Sequence, residues 1–288
     1  MYKTLSSYLK NKYGTRVKKI CIDGGFTCPN RDGRCGIGGC IFCGERGAGE
    51  HISPELGIRE QVEMALASGR ADAYIAYFQN FTNTYADVNS LKVRYDSALI
   101  DERIRVLAIG TRPDCIDEDV CRLIASYKSR LDVWVELGLQ SASDITAVKI
   151  NRGYKTNIYI SAAKMLHKYD IPFVTHIMIG LPGEGEAELD ETVELINKVG
   201  SWGIKIHSLY VMEGTRLAEM YREKLYTPPT FDEYTTLAAR ALSRLDKSTV
   251  VHRITGDCPP GLLVAPEWNR DKQRVISEIR RKLEKIEQ

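Results

Sequence analysis

The chain has 288 residues, a length that suits one large α/β domain or one such domain with a small appendage. Hydrophobic residues make up 43% of it, and the formal net charge of +2 neither requires nor excludes a nucleic-acid partner. No apolar run is long enough to span a bilayer and the N-terminus lacks the apolar core of a signal peptide, so we expect a cytoplasmic protein without a membrane partner. Eight cysteines in such a chain indicate metal or redox chemistry before disulfides.

Short β-like runs alternate with amphipathic helical stretches, a pattern typical of βα units and a parallel sheet. Strands are expected at residues 17–23, 73–79, 105–109, 132–137, 171–179 and 204–211. Helices are expected at residues 58–68, 88–100, 118–127, 143–149, 157–168 and 186–199. These six units are too few for a closed eightfold barrel, and they predict an α/β fold with a partial (β/α)6 TIM-like barrel over residues 1–220.

The rest of the chain, residues 221–288, is expected to form a C-terminal α/β extension that caps the open barrel. Residues 231–245 and 269–286 have helical patterns, and residues 249–254 have a strand pattern. No flexible linker precedes this part, so an independent domain is not expected.

A cysteine-rich loop, residues 27–44, follows the first expected strand. Cys40 and Cys43 form a C-x-x-C pair whose spacing lets two sulfurs reach one metal centre, and Cys28 lies eleven intervening residues earlier on a glycine-rich stretch. Three thiolates on a four-iron cluster would leave one iron open to a further ligand. The loop lies at the barrel end where such folds place their chemistry, which favours a cluster of this kind.

A zinc site is the alternative for this loop, with Cys35 or His51 as the fourth ligand. A structural zinc site would have no reason to occupy the catalytic rim of a barrel. The four cysteines outside the loop are expected to be inert small core residues. They are Cys21, Cys115, Cys121 and Cys258.

The alternation of side chains along the expected strands places a polar set in the barrel lumen. The inward set is Trp134, Glu136, Gln140, His176, Met178, Lys205 and His207, and Tyr77 and Gln79 share one face of the second expected strand. Uncompensated burial of such groups would cost several kcal/mol each, so they need a polar ligand, water or one another. A ligand-filled lumen, with Glu136, Lys205 and His207 as catalytic residues, accounts for them better than the alternative of a purely structural ion pair between Glu136 and Lys205.

Two further features suggest contacts with a flat ligand. Gly180 and Gly183 follow the fifth expected strand and would allow the backbone to approach a ring such as adenine closely. Phe42, beside the last loop cysteine, could pack against a planar base.

Taken together, these stretches closely resemble the radical S-adenosylmethionine (SAM) superfamily, and within it the YtqA/YhcC group, a short relative of the radical SAM domain of the Elongator catalytic subunit. The C-x11-C-x2-C spacing differs from the superfamily's usual C-x3-C-x2-C and is typical of this branch. The other matching stretches are YFQN (77–80), NTY (83–85), GTRPD (110–114), ELGLQS (136–141), NRG (151–153), HIMIGLPGE (176–184), RITGD (253–257) and APEW (265–268).

The resemblance implies a 4Fe-4S cluster on Cys28, Cys40 and Cys43, with SAM bound to the open iron. A reductant such as flavodoxin or ferredoxin would then drive cleavage of SAM to methionine and a 5′-deoxyadenosyl radical. The superfamily's Gly-Gly-Glu motif after the second strand is absent, and Gln79 lies near that position. The expected SAM-binding residues are Phe42, Gln79, Glu136, Gln140, Gly180 and Gly183.

The resemblance further implies a tRNA-modifying enzyme that remodels the C5 side chain of the wobble uridine, converting carboxymethylaminomethyl-uridine to aminomethyl-uridine. The basic N-terminus and last helix could hold RNA phosphates, with Trp268 or a tyrosine stacked on a base. One alternative is a radical SAM enzyme that acts on a protein or a small molecule. An alternative of another class is a zinc-dependent nucleic-acid-binding module without catalysis.

Overall fold

The computed structural model describes residues 2–47, 55–69, 71–259 and 261–288. The strands in these ranges are β1 (Lys3–Thr4), β2 (Val17–Ile22), β3 (Ala73–Phe78), β4 (Ile104–Thr111), β5 (Asp132–Gln140), β6 (Phe173–Ile179), β7 (Gly203–Ser208), β8 (Val211–Met212), β9 (Val250–Arg253) and β10 (Leu263–Ala265). The helices are α1 (Leu5–Tyr13), α2 (Ile58–Ser68), α3 (Val88–Ala98), α4 (Glu118–Ser126), α5 (Asp144–Lys149), α6 (Thr156–Lys168), α7 (Glu186–Lys198), α8 (Arg216–Arg222), α9 (Phe231–Arg244) and α10 (Lys272–Glu287).

Eight of these strands form one sheet in the order β1-β9-β7-β6-β5-β4-β3-β2. Every neighbouring pair in it is parallel. Strands β2 to β7 lie in chain order, and helices connect each to the next, as parallel pairing requires. The sheet curls into a half-barrel with helices outside it, which confirms the predicted partial TIM-like barrel.

The two faces of the barrel sheet carry different side chains, as the alternation predicted. Val133, Val135, Leu137 and Leu139 of β5 belong to the large apolar core between sheet and helices. Trp134 points to the other face, where a smaller apolar cluster fills one end of the lumen. Side-chain alternation in β5 therefore separates the core of the fold from the inside of the barrel.

The C-terminal extension supplies a strand of the barrel sheet itself. β9 pairs with β7 on one side and with β1 on the other, and its Arg253 lies in register with Lys205 of β7. β10 pairs separately with β8 in an antiparallel ribbon. The extension was expected only to cap the barrel, and the domain boundary at residue 220 stays a prediction.

Helix α1 closes the amino end of the barrel. Leu9 is buried in the same lumen cluster as Trp134. Lys12 Nζ lies 2.6 Å from a carboxylate oxygen of Asp132, the first residue of β5. The Tyr8 ring packs edge-on against Trp202 at a centroid distance of 5.3 Å. From its sequence this segment was described only as basic, and its packing across the amino end of the lumen was not predicted.

None of the helices in the described ranges is long and apolar enough to cross a membrane.

We predict that Leu9→Ala lowers the free energy of unfolding by about 2–5 kcal/mol, because the substitution leaves a cavity in the packed floor of the lumen. Leu225→Ala is the matched control, since Leu225 is 68% exposed and its truncation leaves no buried void. Denaturant unfolding of the three proteins measures the difference. Equal losses in the two variants would show that α1 does not close the barrel.

Candidate active site

A cavity of about 350 Å³ lies in the lumen at the carboxyl ends of the strands, a size that suits a small-molecule ligand. Its wall joins two groups of residues that are far apart in the sequence. Cys28, Cys40 and Cys43 come from the loop after β2, and Glu136 and Lys205 come from β5 and β7. The structure therefore brings the three expected metal ligands and all three expected catalytic residues, Glu136, Lys205 and His207, into one cavity.

The cysteine loop is built from tight turns that present its thiols. The backbone N–H of Arg31 donates to the carbonyl of Cys28 at 2.8 Å. The N–H of Cys43 donates to the carbonyl of Cys40 at 3.0 Å, which closes the C-x-x-C turn. The sequence spacing thus corresponds to a compact arrangement in which all three thiols face the cavity.

Asparagine side chains anchor this loop to the segment that follows α5. Asn30 is fully buried, and its Nδ2 donates to the carbonyl of Asn151 at 2.6 Å. In return, Asn151 Nδ2 donates to the carbonyl of Gly39 at 2.7 Å. A Cβ atom on Gly36 or Gly153 would lie 2.3 Å and 2.7 Å, respectively, from Asn30 Oδ1, so both positions require glycine. Neither asparagine was predicted from the sequence as an anchor.

The thiols lie in a cationic environment. A hydrogen bond from Cys40 lowers the pKa of Cys43 to about 7, and the nearby charges of Arg31 and Arg112 act in the same direction. The same contact, together with burial, raises the pKa of Cys40. Since thiolates rather than thiols bind iron, the surrounding arginines favour the form that holds a cluster.

The donor set fits a multi-iron cluster better than a single zinc ion. Within the described part of the chain, no three His, Cys, Asp or Glu side chains converge closely enough to hold one metal ion. Cys35 is exposed, lies outside the cavity wall, and has its sulfur 3.5 Å from Asp114 Oδ2. His51, the other expected zinc ligand, lies outside the described residues. Three thiols around a shared cavity suit a larger inorganic core.

Glu136 is the centre of a buried polar network in the lumen. Lys205 Nζ donates to its Oε2 in a close ion pair, and His176 Nε2 lies 2.8 Å from the same oxygen. Trp134 Nε1 donates to Oε1 at 3.2 Å. Lys205 Nζ also contacts the Tyr77 hydroxyl at 3.1 Å. Glu136 and Lys205 therefore do form the ion pair that the sequence suggested as an alternative, and this pair lies inside the cavity.

The charges of this network differ from those of exposed groups. Burial alone would raise the pKa of Glu136, but Lys205, Lys19 and His176 outweigh it and hold that pKa well below its usual value. Burial lowers the pKa of Lys205 to about 7, although Glu136 opposes the shift. Burial and the charge of Lys205 lower the pKa of His176 to about 4. Burial likewise lowers the pKa of His207 well below its usual value. At neutral pH the lumen thus holds an ionised carboxylate, neutral imidazoles and one amine that can exchange a proton.

The other expected contacts divide into two groups. Phe42, Gln79 and Gln140 line the cavity together with His207. Gly180 and Gly183 do not line it: a Cβ on Gly180 would meet Pro229 at 2.7 Å, and one on Gly183 would meet the Lys149 ammonium at 2.7 Å. Their positive φ angles of 98° and 78° explain the glycines as turn residues. Whether any of these residues binds SAM stays a prediction.

Several residues of the cavity were not predicted as part of the site. Lys19 and Cys21 face it from β2, and Arg253 faces it from β9. Cys21 was expected to be an inert core thiol, and burial does raise the pKa of its thiol. Tyr154 packs between Arg112 and Arg152, whose guanidinium carbons lie 4.7 Å and 4.6 Å from its ring centroid. The alternation in residues 17–22 could have identified the two β2 residues.

Of the two basic segments expected to contact RNA, the N-terminal one lies away from the cavity. Helix α1 covers the amino end of the barrel, opposite the cysteine loop. The Trp268 ring stacks on Tyr234 at 5.0 Å, and its Nε1 donates to the carbonyl of Pro229 at 3.0 Å. Trp268 is therefore a packing residue in this fold and does not offer its ring to the cavity.

Comparison with known proteins decides the family. A family model described as the radical SAM superfamily matches residues 28–196, which include all three cavity cysteines. The chain belongs to the radical SAM superfamily. A second model, described as the radical SAM C-terminal domain, matches residues 201–285. Membership gives this protein SAM and a 4Fe-4S cluster as its cofactors.

Relatives of similar length support the expected YtqA/YhcC group. YtqA of Bacillus subtilis is 36% identical over 98% of this chain and 89% of its own length. YhcC of Escherichia coli is 35% identical over 96% of this chain and 90% of its own length. A tRNA uridine(34) acetyltransferase of Dehalococcoides mccartyi is 30% identical over 60% of this chain and 38% of its own length.

A solved structure shows the same fold. The archaeal Elp3 of Methanocaldococcus infernus, with an N-terminal deletion, superposes with a TM-score of 0.67 at 20% identity. The match covers 92% of this chain and 63% of that one, so this chain spans less than two thirds of that structure.

We predict that Cys40→Ala abolishes iron retention after anaerobic reconstitution, whereas Cys35→Ala retains roughly four irons per chain. The two variants remove the same group from the same loop, but only Cys40 faces the cavity. Iron analysis and the visible absorption of the cluster give the readout. Loss of iron in Cys35→Ala would overturn the ligand assignment.

We predict that Lys205→Met lowers the free energy of unfolding by about 3 kcal/mol, because it leaves the Glu136 carboxylate buried without its ammonium. The double variant Glu136→Gln/Lys205→Met should regain most of this loss, as both charges are then absent. If the pair served the fold alone, the double variant would also regain SAM binding and cleavage. We expect it to recover stability in denaturant unfolding and to remain deficient in SAM cleavage.

Proposed function

We propose that this enzyme acts on tRNA and removes the carboxymethyl group from carboxymethylaminomethyl-uridine at the wobble position, leaving aminomethyl-uridine. The observation that carries the proposal is the buried network of Glu136, Lys205 and His176 in the same cavity as the three cysteines. The relative named tRNA uridine(34) acetyltransferase, which aligns with 60% of this chain, supports an RNA substrate.

The cluster and SAM, when bound and supplied with an electron by a reductant such as flavodoxin or ferredoxin, would provide a 5′-deoxyadenosyl radical that takes a hydrogen atom from the substrate. The overall change on the substrate is an oxidation. The nitrogen and the methylene next to the carboxylate together lose a hydrogen atom, an electron and a proton, and water splits the resulting C=N bond. The electron would return to the oxidised cluster, so that the reductant only primes the reaction. The products are the aminomethyl group and glyoxylate, with SAM consumed as the net oxidant to give methionine and 5′-deoxyadenosine.

Lys205 is the residue suited to move the proton in this reaction. Because burial lowers its pKa to about 7, part of the Nζ population is a free amine at neutral pH and can accept a proton. Glu136 stays ionised beside it and stabilises the ammonium that forms. His176 holds Glu136 in place through its hydrogen bond to Oε2. We assign these roles on position and charge.

The cavity wall suits a nucleotide that is flipped out of its stack. Its charged residues are six cations, Lys19, Arg31, Arg112, Arg152, Lys205 and Arg253, against two carboxylates, Glu136 and Asp257. Aromatic rings of Phe42, Phe81 and Tyr210 in the same wall provide surfaces on which a base can stack. Because α1 lies at the other end of the barrel, we expect phosphate contacts from the cavity rim.

We predict that cells lacking this protein accumulate carboxymethylaminomethyl-uridine in their tRNA and lose aminomethyl-uridine and nucleosides made from it. Mass spectrometry of digested tRNA measures both. Wild-type protein should restore the profile and Cys40→Ala should not, because it removes an expected cluster ligand. An unchanged nucleoside profile would contradict the proposal and favour a protein or small-molecule substrate.

A further inference from the structure

The buried carboxylate of Glu136 in the lumen already accepts three hydrogen bonds. Its Oε2 accepts hydrogen bonds from Lys205 and His176, and its Oε1 accepts one from Trp134. The side chain is fully buried, and its single negative charge is shared by Lys205 and Lys19. Cations outnumber carboxylates in the cavity wall, and a further anion would balance them.

Lys19 is one of these cations. Its Nζ lies 4.5 Å from the centroid of the Tyr77 ring, and Lys205 Nζ lies 4.4 Å from the same centroid. Two ammonium groups thus share one ring, and the charge of Lys19 contributes to the lowered pKa of Lys205. Among the residues that the structure describes, no carboxylate lies within ion-pair distance of Lys19.

Arg253 and His207 approach the same region from the other edge of the sheet. Arg253 on β9 is in register with Lys205, and its nearest carboxylate oxygen, on Asp257, is 3.7 Å away. Asp257 is also engaged by Lys272. His207 lines the cavity, and its Nε2 is buried without a hydrogen-bond partner in the described chain. Two cations and one unused imidazole nitrogen therefore surround one part of the lumen.

We infer that Lys19, Arg253 and His207 form a binding site for a carboxylate of the substrate, which holds that end of the substrate against the Lys205–Tyr77 side of the lumen. A guanidinium and an ammonium bind a carboxylate through charge-assisted hydrogen bonds, and a neutral imidazole can add one N–H donor. The inference rests on the proposed function for the substrate, whose C5 side chain ends in a carboxylate.

The position of the site favours a side-chain carboxylate over a backbone phosphate. A phosphate of RNA is held between two sugars and could enter the lumen only with its chain. The lumen is closed at the amino end by α1, which leaves no passage for a polynucleotide. A terminal carboxylate on a short flexible arm meets no such obstacle.

The test compares two ligands that differ only by this carboxylate. Anticodon stem-loop RNAs carrying carboxymethylaminomethyl-uridine or methylaminomethyl-uridine at the wobble position are titrated onto the cluster-loaded protein, anaerobically and without reductant. We expect the carboxylate form to bind about tenfold more tightly or better. Lys19→Met and Arg253→Gln should each weaken binding of the carboxylate form more than binding of the methylaminomethyl form, and so remove most of this preference. Lys18→Met is the matched control, since Lys18 is adjacent on β2 but does not line the cavity, and it should keep the preference.

A second titration with the two free nucleosides separates this inference from the proposed function. If both RNAs bind equally well and the nucleosides are not distinguished either, the carboxylate site is refuted while an RNA substrate stands. If neither RNA binds but the nucleosides are distinguished by the wild type and not by Lys19→Met, the site stands and the tRNA proposal fails. If Lys19→Met and Arg253→Gln both keep the preference for the carboxylate form, the assignment of these residues to the carboxylate site is also refuted.

Discussion

A carboxylate buried at the centre of a parallel barrel constrains the strands around it. Glu136 is fully enclosed, and its charge is compensated by Lys205 and His176, which donate to it from β7 and β6, together with Trp134 and the nearby charge of Lys19. His176 and Lys205 are themselves register partners. A slip of one residue in either strand would turn these side chains toward the helices and leave the carboxylate unpaired. Correct strand register and a charged lumen therefore depend on each other.

The cysteine loop is positioned by a separate set of contacts, which link it to the same strand. Asn30 and Asn151 tie the loop to the segment after α5, which follows β5 and Glu136. Gly36 and Gly153 leave room for the Asn30 side chain. The thiols and the polar network thus occupy fixed positions relative to one another before any ligand binds, as a site needs when both ligands must meet at a defined distance.

Local sequence patterns predicted those parts of the site that depend on local geometry. The period of two in β5 identified Glu136 as inward-facing, and the cysteine spacing identified the loop. The failures concern features set by contacts distant in sequence. Gly180 lies against Pro229, which is forty-nine residues later in the chain. Leu9 is buried because α1 packs against the amino ends of the barrel strands. Arg253 reaches the lumen because β9 joins the sheet beside β7, a pairing that no periodicity reveals.

The closed end of the barrel limits what this chemistry can act on. In the described chain the lumen is sealed at the strand amino ends by α1, so a group that reaches Lys19 must enter past the cysteine loop. We expect SAM at that loop, so the cofactor and the proposed substrate would share one entrance. For the proposed substrate, the C5 arm rather than the uracil ring would have to reach the cationic region around Lys19. The proposed substrate, a base that carries a flexible and negatively charged arm, suits the positive charge of this lumen.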